Sequence, residues 1–321
     1  MEQNHLNHAD IDIKAVEMAK TNSPLSQYFN HNSLFEISRR QYGLEKNAKI
    51  IIVGNPPYND STSIIRNTIK KTEFVRDAEV MSRDLGISFL LSYNKLAADY
   101  ICILHPLSYL IKKANFEALG HFKSNYKLID SVIVSSGVFS ATSKTTFFPI
   151  IIALYEYNLF GMKYEYIQNY TFKIHGNKIF SINKYDIIGN YISKYPNQKT
   201  VSEQETIAYF YTMRDINALK RTATFLEKET SNAVRVTKQK LPYYCYVDVF
   251  KEHIPHIPYY FGNSDVFINN DGFNELQAVF ISRSVQKHPD LEALVESKKY
   301  NDTETEIVGY FRQLLGEHYL D

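Results

Sequence analysis

The stretch KIIIVGNPPYNDST, Lys49 to Thr62, decides how the rest of the chain is read. Ile50, Ile51, Ile52 and Val53 form an unbroken apolar run, the pattern of a fully buried strand, and Gly54 ends it. Asn-Pro-Pro-Tyr follows at once. Proline has no N–H to give a ladder and holds φ fixed, so Pro56 and Pro57 close the strand with rigid backbone. At its plainest this is a strand that ends in a stiff turn, and a bare PPY would say no more. An amide, two fixed carbonyls and a phenol directly after an apolar strand say more, because ligands of open α/β sheets gather at the carboxyl ends of strands.

Outward from this stretch, the chain alternates between strand-like and helix-like periodicity. IDIKAVEMAK begins extended and becomes helical, with Ala15, Val16 and Ala19 at helical spacing. SIIRNTIKKTEFVRDAEVMS, GISFLLSYNKLAADY and KKANFEALGHFKSNY read as helical, ICILHPLSYL as a short strand stopped by Pro106, and KLIDSVIVSS as a strand. Such alternation predicts a mainly parallel sheet with helices on both faces. IDSVIVSS and FPIIIALYEY, around the irregular GVFSATSKTTF, read instead as an antiparallel pair. Beyond Gly161 short strands with Asn, Gly and Pro punctuation take over, KYPNQKT reads as a linker, and SEQETIAYFYTMRDINALKRTATFLEKE reads as helical. The tyrosine-rich LPYYCYVDVF fits half-buried strand or a surface that stacks on bases, with strand preferred. These changes predict a boundary near Tyr157–Tyr164, giving an α/β domain over 1–160 and an α+β domain over 161–321.

Composition limits the function classes. With 44% hydrophobic and 22% charged residues, the 321-residue chain is globular and long enough for a sizeable core. Its apolar runs, such as FFPIIIALY, are too short to span a bilayer, and MEQNHLNHADID lacks the apolar core of a signal peptide. Cys102 and Cys245 provide neither a disulfide framework nor zinc spacing; a cytoplasmic setting is expected, with both as ordinary core residues. His253 and His256 have H-x-x-H spacing, but prolines interrupt them and no acid or cysteine stands near, so a structural loop is expected and no metal. The net charge of +1 does not announce a nucleic-acid partner. Between Arg214 and Lys240, however, basic residues outnumber acids, which suits either phosphate contacts or a solvated helix face.

IIVGNPPY resembles motif IV of the class I amino-methyltransferases that use S-adenosyl-L-methionine (AdoMet), and most closely the N6-adenine DNA methyltransferases of restriction-modification systems. ADIDIKAVEMAK resembles the second strand and following helix of the AdoMet-binding half, with Asp10 as the ribose-binding acid and Asp12 as a second acid. HNSLF resembles the third motif; Asn32 stands where many relatives carry aspartate, and Ser33, Leu34 and Phe35 would line the same pocket. SSGVFSATSKTTFFPIIIALYE resembles motif VIII, and Phe139 matches its base-stacking aromatic, although a loop residue plugging the core would look the same.

The resemblance covers about the first half of the chain and implies a Rossmann-like sheet, AdoMet as methyl donor, no metal, and double-stranded DNA as partner. Catalysis would fall to Asn55, Pro56, Pro57 and Tyr58: an exocyclic amine whose lone pair is delocalised needs acceptors for its hydrogens, here the Asn55 side chain and the Pro56 carbonyl. Asn55 would also border the cofactor. Tyr58 and Phe139 would sandwich an adenine flipped from the duplex. The second half would then act as a target-recognition domain.

Departures from the family pattern keep other readings open. The chain has 12 glycines with no two at i and i+2, so the glycine-rich AdoMet loop is missing both before Asp10 and after NPPY, and a Gly-Gly turn is replaced by AAD. The expectation is a methyltransferase sheet truncated at its N-terminus. Three explanations are open: a gene truncated at its start, a split enzyme whose N-terminal methyltransferase polypeptide supplies the missing part, or a divergent remnant. That polypeptide or a cognate restriction endonuclease would be the protein partner. A non-catalytic DNA-binding or specificity subunit, or a remnant, fits the same absence. An RNA or protein-glutamine N-methyltransferase also uses NPPY; the long extension after the motif favours DNA.

Overall fold

The computed structural model describes residues 6–57, 75–139, 147–295 and 303–321. Strand β1 (Asn7–Asp10) leads through helix α1 (Ile13–Asn22) into strand β2 (Gln27–Asn30), which runs parallel to β1 with Asn7 opposite Gln27 and Asp10 opposite Asn30. A parallel return requires a crossover, which α1 supplies. Asp12 starts α1, accepting the Lys14 N–H at 2.9 Å, and Val16 is the residue that the helix buries.

Strand β3 (Ile51–Gly54) follows and precedes helix α2 (Leu85–Lys95), strand β4 (Tyr100–Pro106), and three short helices: α3 (Ser108–Ile111), α4 (Lys113–Ala118) and α5 (His121–Asn125). Strands β5 (Tyr126–Ser135) and β6 (Pro149–Tyr157), helix α6 (Tyr164–Gln168) and strands β7 (Phe172–Ile174) and β8 (Lys178–Phe180) complete a six-stranded sheet in the order β3-β4-β6-β5-β7-β8. Pairing is parallel in β3–β4 and β5–β7, and antiparallel in β4–β6 and β7–β8. β1 and β2 form a separate two-stranded sheet.

One expectation about β3 is overturned. Ile50 is buried, but Ile51 and Val53 are exposed and Ile52 is half-buried. Among the described residues β3 lies at the end of its sheet, and Ile52 packs against the cluster of Ile37, Tyr42, Val80 and Leu96. An apolar run alone cannot report which face is covered.

Packing divides the chain into Met1–Ile133 with Ile150–Phe180, and Val134–Pro149 with Ser181–Asp321. This division falls beyond the expected 160/161, because β7 and β8 extend the first unit's sheet. The second unit contains strands β9 (Asp186–Ile187), β10 (Ala208–Tyr211), β11 (Phe225–Leu226), β12 (Ala233–Val236) and β13 (Phe267–Ile268). Helices α7 (Ile216–Arg221), α8 (Leu241–Glu252), α9 (Asn270–Lys287) and α10 (Glu304–Leu315) belong with them.

Two sequence expectations reverse here. The stretch read as one helix after Ser202 holds β10, the centre of an antiparallel β11-β10-β12 sheet, because Tyr209, Phe210 and Tyr211 have cross-strand partners and Asp215 caps a new helix. LPYYCYVDVF, read as strand, is helix α8, with Pro242 in its first turn and Tyr244, Tyr246 and Phe250 buried. Tyr246 contacts the rings of Phe273, Phe280 and Tyr310, so tertiary packing overrides the β propensity of tyrosine. Among the described residues no helix is long and apolar enough to cross a membrane.

Candidate functional site

The first unit contains a cleft of about 490 Å³ that brings most of the expected site residues together. It is lined by Asp10 at the end of β1, by Asn32, Ser33 and Leu34 after β2, and by Asn55, Pro56 and Pro57 after β3. Its size falls in the range of small-molecule sites.

Backbone clasps explain why these three segments stay in place. At β3, the Ile50 N–H donates to the Asp99 carboxylate at 2.8 Å, and the Ile50 carbonyl accepts the Asp99 N–H at 2.9 Å. Arg39 reinforces this entry by donating to the carbonyls of Leu96, Ala97, Lys46 and Ala48. Gly54 lets the strand pass beneath Tyr93: a Cβ at Gly54 would lie 3.1 Å from the Tyr93 hydroxyl oxygen. Pro56 is buried, while Asn55 is exposed at the mouth of the cleft.

The loop after β2 is held as firmly. Asn32 donates through Nδ2 to the Val75 carbonyl at 2.7 Å and accepts the Leu34 N–H at 3.0 Å. Ser92 of α2 donates to the Ser33 carbonyl at 2.6 Å. Asp77 accepts the N–H groups of Glu36 and Ile37 and pairs with Lys95 at 2.9 Å. The Lys95 hydrogen bond, followed by that from Glu36, holds the Asp77 carboxyl below the ordinary carboxylate range. Asn32 is therefore engaged at both ends of its amide in shaping the loop.

The two acids take different places. Asp10 is exposed in the cleft, with one carboxylate oxygen accepting the Asp12 N–H at 2.8 Å. Asp12 is outside the lining and caps α1, as described above. Tyr58 lies outside the described residues. Phe139 belongs to the second unit, where its N–H donates to the Ser136 carbonyl at 3.1 Å.

Among the lining residues that the sequence reading did not single out are His31, Phe89 and Tyr93. His31 packs its ring edge-on against Tyr42 at 4.6 Å, its Nε2 is buried without a hydrogen-bond partner among the described residues, and burial lowers the ring's pKa. Burial raises the Tyr93 pKa, keeping the phenol protonated. Phe89 and Tyr93 are one helical turn apart on α2, a spacing that also suits ordinary core packing, so the sequence carried no distinguishing signal.

An exposed carboxylate at Asp10 beside an apolar wall at Leu34 and Phe89 makes a lining that fits a nucleoside-bearing cofactor such as AdoMet. Asn55 adds a carboxamide, and the Pro56 carbonyl has no N–H of its own residue beside it.

Elsewhere, no group of three or more metal-ligating side chains exists among the described residues. His253 is buried against Phe311 with a ring separation of 4.5 Å. Arg235, from the basic stretch, is held by Glu229 through Nε at 2.9 Å and Nη2 at 3.0 Å.

No protein-family model matches the chain, and no curated protein matches it. Among solved structures it is similar to a mutant of Spodoptera frugiperda DNMT2, with 12% sequence identity and a TM-score of 0.32, over 98% of this chain and 77% of that one.

Proposed function

We propose that the chain is the catalytic part of an AdoMet-dependent DNA methyltransferase that acts on adenine N6 in a restriction-modification system. The observation that supports this reading is the shared cleft of Asp10, the Asn32–Leu34 loop and Asn55–Pro57. AdoMet, when bound, supplies a methyl group activated by its sulfonium.

In this reading the Asp10 carboxylate accepts hydrogen bonds from the ribose hydroxyls. Leu34 and Phe89 supply apolar contact. Asn55 Oδ1 and the Pro56 carbonyl accept the two hydrogens of the amine, which directs its lone pair outward and stabilises the positive charge that develops on nitrogen. The rigid prolines limit the reorganisation this requires. Tyr58 and Phe139 stack on the flipped adenine, and the second unit supplies phosphate and base-edge contacts to double-stranded DNA.

Methyl transfer from labelled AdoMet to adenine-containing duplex DNA, with Asn55→Ala as control, tests the reading. Incorporation at adenine N6 that is lost in the variant is expected. Incorporation into RNA or a protein glutamine would redirect the substrate. The second reading is a DNA-binding subunit without catalysis. DNA binding with no AdoMet binding and no transfer would select it.

A further inference from the structure

We propose that the second unit holds a site for a mononucleotide, in a cavity between the 189–201 segment and the start of α8. This goes beyond the methyl-transfer reading and stands without it.

The cavity measures about 710 Å³, larger than the cleft of the first unit and within the range of small-molecule sites. Its walls are tied together by hydrogen bonds. Asn197, itself buried, donates through Nδ2 to the Arg235 carbonyl at 3.0 Å and accepts the Arg235 N–H at 2.8 Å. The Arg235 side chain donates to the Val201 carbonyl at 3.0 Å. Tyr244, buried on α8, donates to the Ser193 carbonyl at 2.8 Å. The 189–201 segment is thereby fastened to β12 and to the first turns of α8, which fixes the groups that face the cavity.

The charge of the lining selects an anion. Lys194, Arg235 and Lys240 line the cavity, and no Asp or Glu does among the described residues. Lys194 and Arg235 are matched by carboxylates outside the lining, Asp265 at 2.5 Å and Glu229 at 2.9 Å. Lys240 differs. Its ammonium lies 5.8 Å from the centre of the Tyr243 ring, with no carboxylate partner among the described residues. One unmatched cation in a lining without carboxylates suits one phosphate group. A duplex track would need a row of free cations to neutralise successive phosphates, and two of these three are already paired.

The aromatic groups add the second half of the ligand. Tyr195 exposes 54% of its surface at the cavity, leaving a ring on which a base can stack. Tyr191 is braced by stacking on Tyr243 at 5.1 Å. Gln239, exposed in the same lining, offers both a donor and an acceptor to a base edge.

Calorimetry on the full chain, with AMP, GMP, CMP and UMP as probes, tests the site without using activity. At least one should bind with a dissociation constant below about 1 mM. Its nucleoside, lacking the phosphate, should bind at least about tenfold more weakly. Lys240→Ala should weaken the nucleotide by about tenfold or more, and Lys240→Arg should restore most of the affinity. Tyr195→Ala, at an exposed position, is an independent check and should weaken it by about fivefold or more, with an unchanged melting temperature. An excess of AdoMet should not displace the nucleotide. No binding of any probe at about 1 mM, affinity unmoved by both Lys240→Ala and Tyr195→Ala, displacement by AdoMet, or binding of duplex DNA alone would each overturn the proposal.

Discussion

Acid should weaken the first unit through His105, and the size of the loss follows from its surroundings. His105 is fully buried on β4, with Nε2 2.7 Å from the Tyr155 hydroxyl oxygen and Nδ1 2.9 Å from the Pro106 carbonyl. With Nδ1–H donating to the carbonyl and Nε2 accepting from the hydroxyl, the neutral ring is satisfied at both nitrogens. Its faces stack on Tyr109 and Tyr155, at centroid distances of 5.2 and 6.0 Å. Burial lowers the pKa from 6.5 to about 4, against a smaller upward pull from the Pro106 carbonyl. The unfolded chain therefore takes up a proton near pH 6.5 that the folded chain refuses until about pH 4. Stability is full above the unfolded value and is lost as pH falls through that window. The loss is about 2 kcal/mol between pH 8 and pH 5, and about 3 kcal/mol by pH 4. Urea unfolding followed by circular dichroism at several pH values, on the parent chain and on His105→Gln, isolates this contribution because other titrating groups are common to both. The parent's stability advantage over His105→Gln should shrink by about 2 kcal/mol from pH 8 to pH 5. A difference that stays constant over that range would refute the account.

Other substitutions separate site from scaffold. Gly54→Ala would place a methyl group 3.1 Å from the Tyr93 hydroxyl oxygen, so a loss of about 1–3 kcal/mol is expected; adding Tyr93→Phe should recover most of it in a double-mutant cycle. Asp12→Ala should cost about 1 kcal/mol through the lost cap of α1 and leave AdoMet affinity unchanged by calorimetry. Asp10→Asn should do the reverse, since an amide oxygen can still accept the Asp12 N–H. In the second unit, Asp248 is buried and accepts from Thr224 at 2.6 Å and Ser284 at 3.0 Å, with Lys287 at 3.1 Å. Burial pushes its pKa up, but the Thr224 hydrogen bond and the Lys287 and His288 charges outweigh it and leave the carboxyl below its ordinary range. Asp248→Asn should cost about 1–3 kcal/mol near neutral pH, because Lys287 is partly exposed and keeps Glu252 as a partner, and that penalty should fade as pH drops through the depressed folded pKa.

Several features of the fold were local enough to be legible in the sequence. The glycine and prolines at 54, 56 and 57 end β3 wherever it packs, because their constraints are built into their own backbone. α1 was visible in the spacing of Ala15, Val16 and Ala19, and β4 in ICILHP, since both express the period of their own element. The grouping of Asp10, Asn32 and Asn55 was anticipated from motif order, and these residues do line one cleft. Local signals misled where partners far along the chain decided the outcome. Tyr244 and Tyr246 sit in a helix because aromatic rings from α9 and α10 enclose that region.

By itself, the sequence determined where chain direction is punctuated, which runs could enter a sheet, and that acceptor groups would stand at the end of an apolar strand. These depend on residue chemistry and on neighbours within a few positions. Tertiary structure alone decided that Ile51 and Val53 face outward, that Asn32 is tied into its loop, and that His31, Phe89 and Tyr93 line the cleft. Each of these depends on which distant segments approach, and burial and hydrogen-bond satisfaction are set by that approach in space.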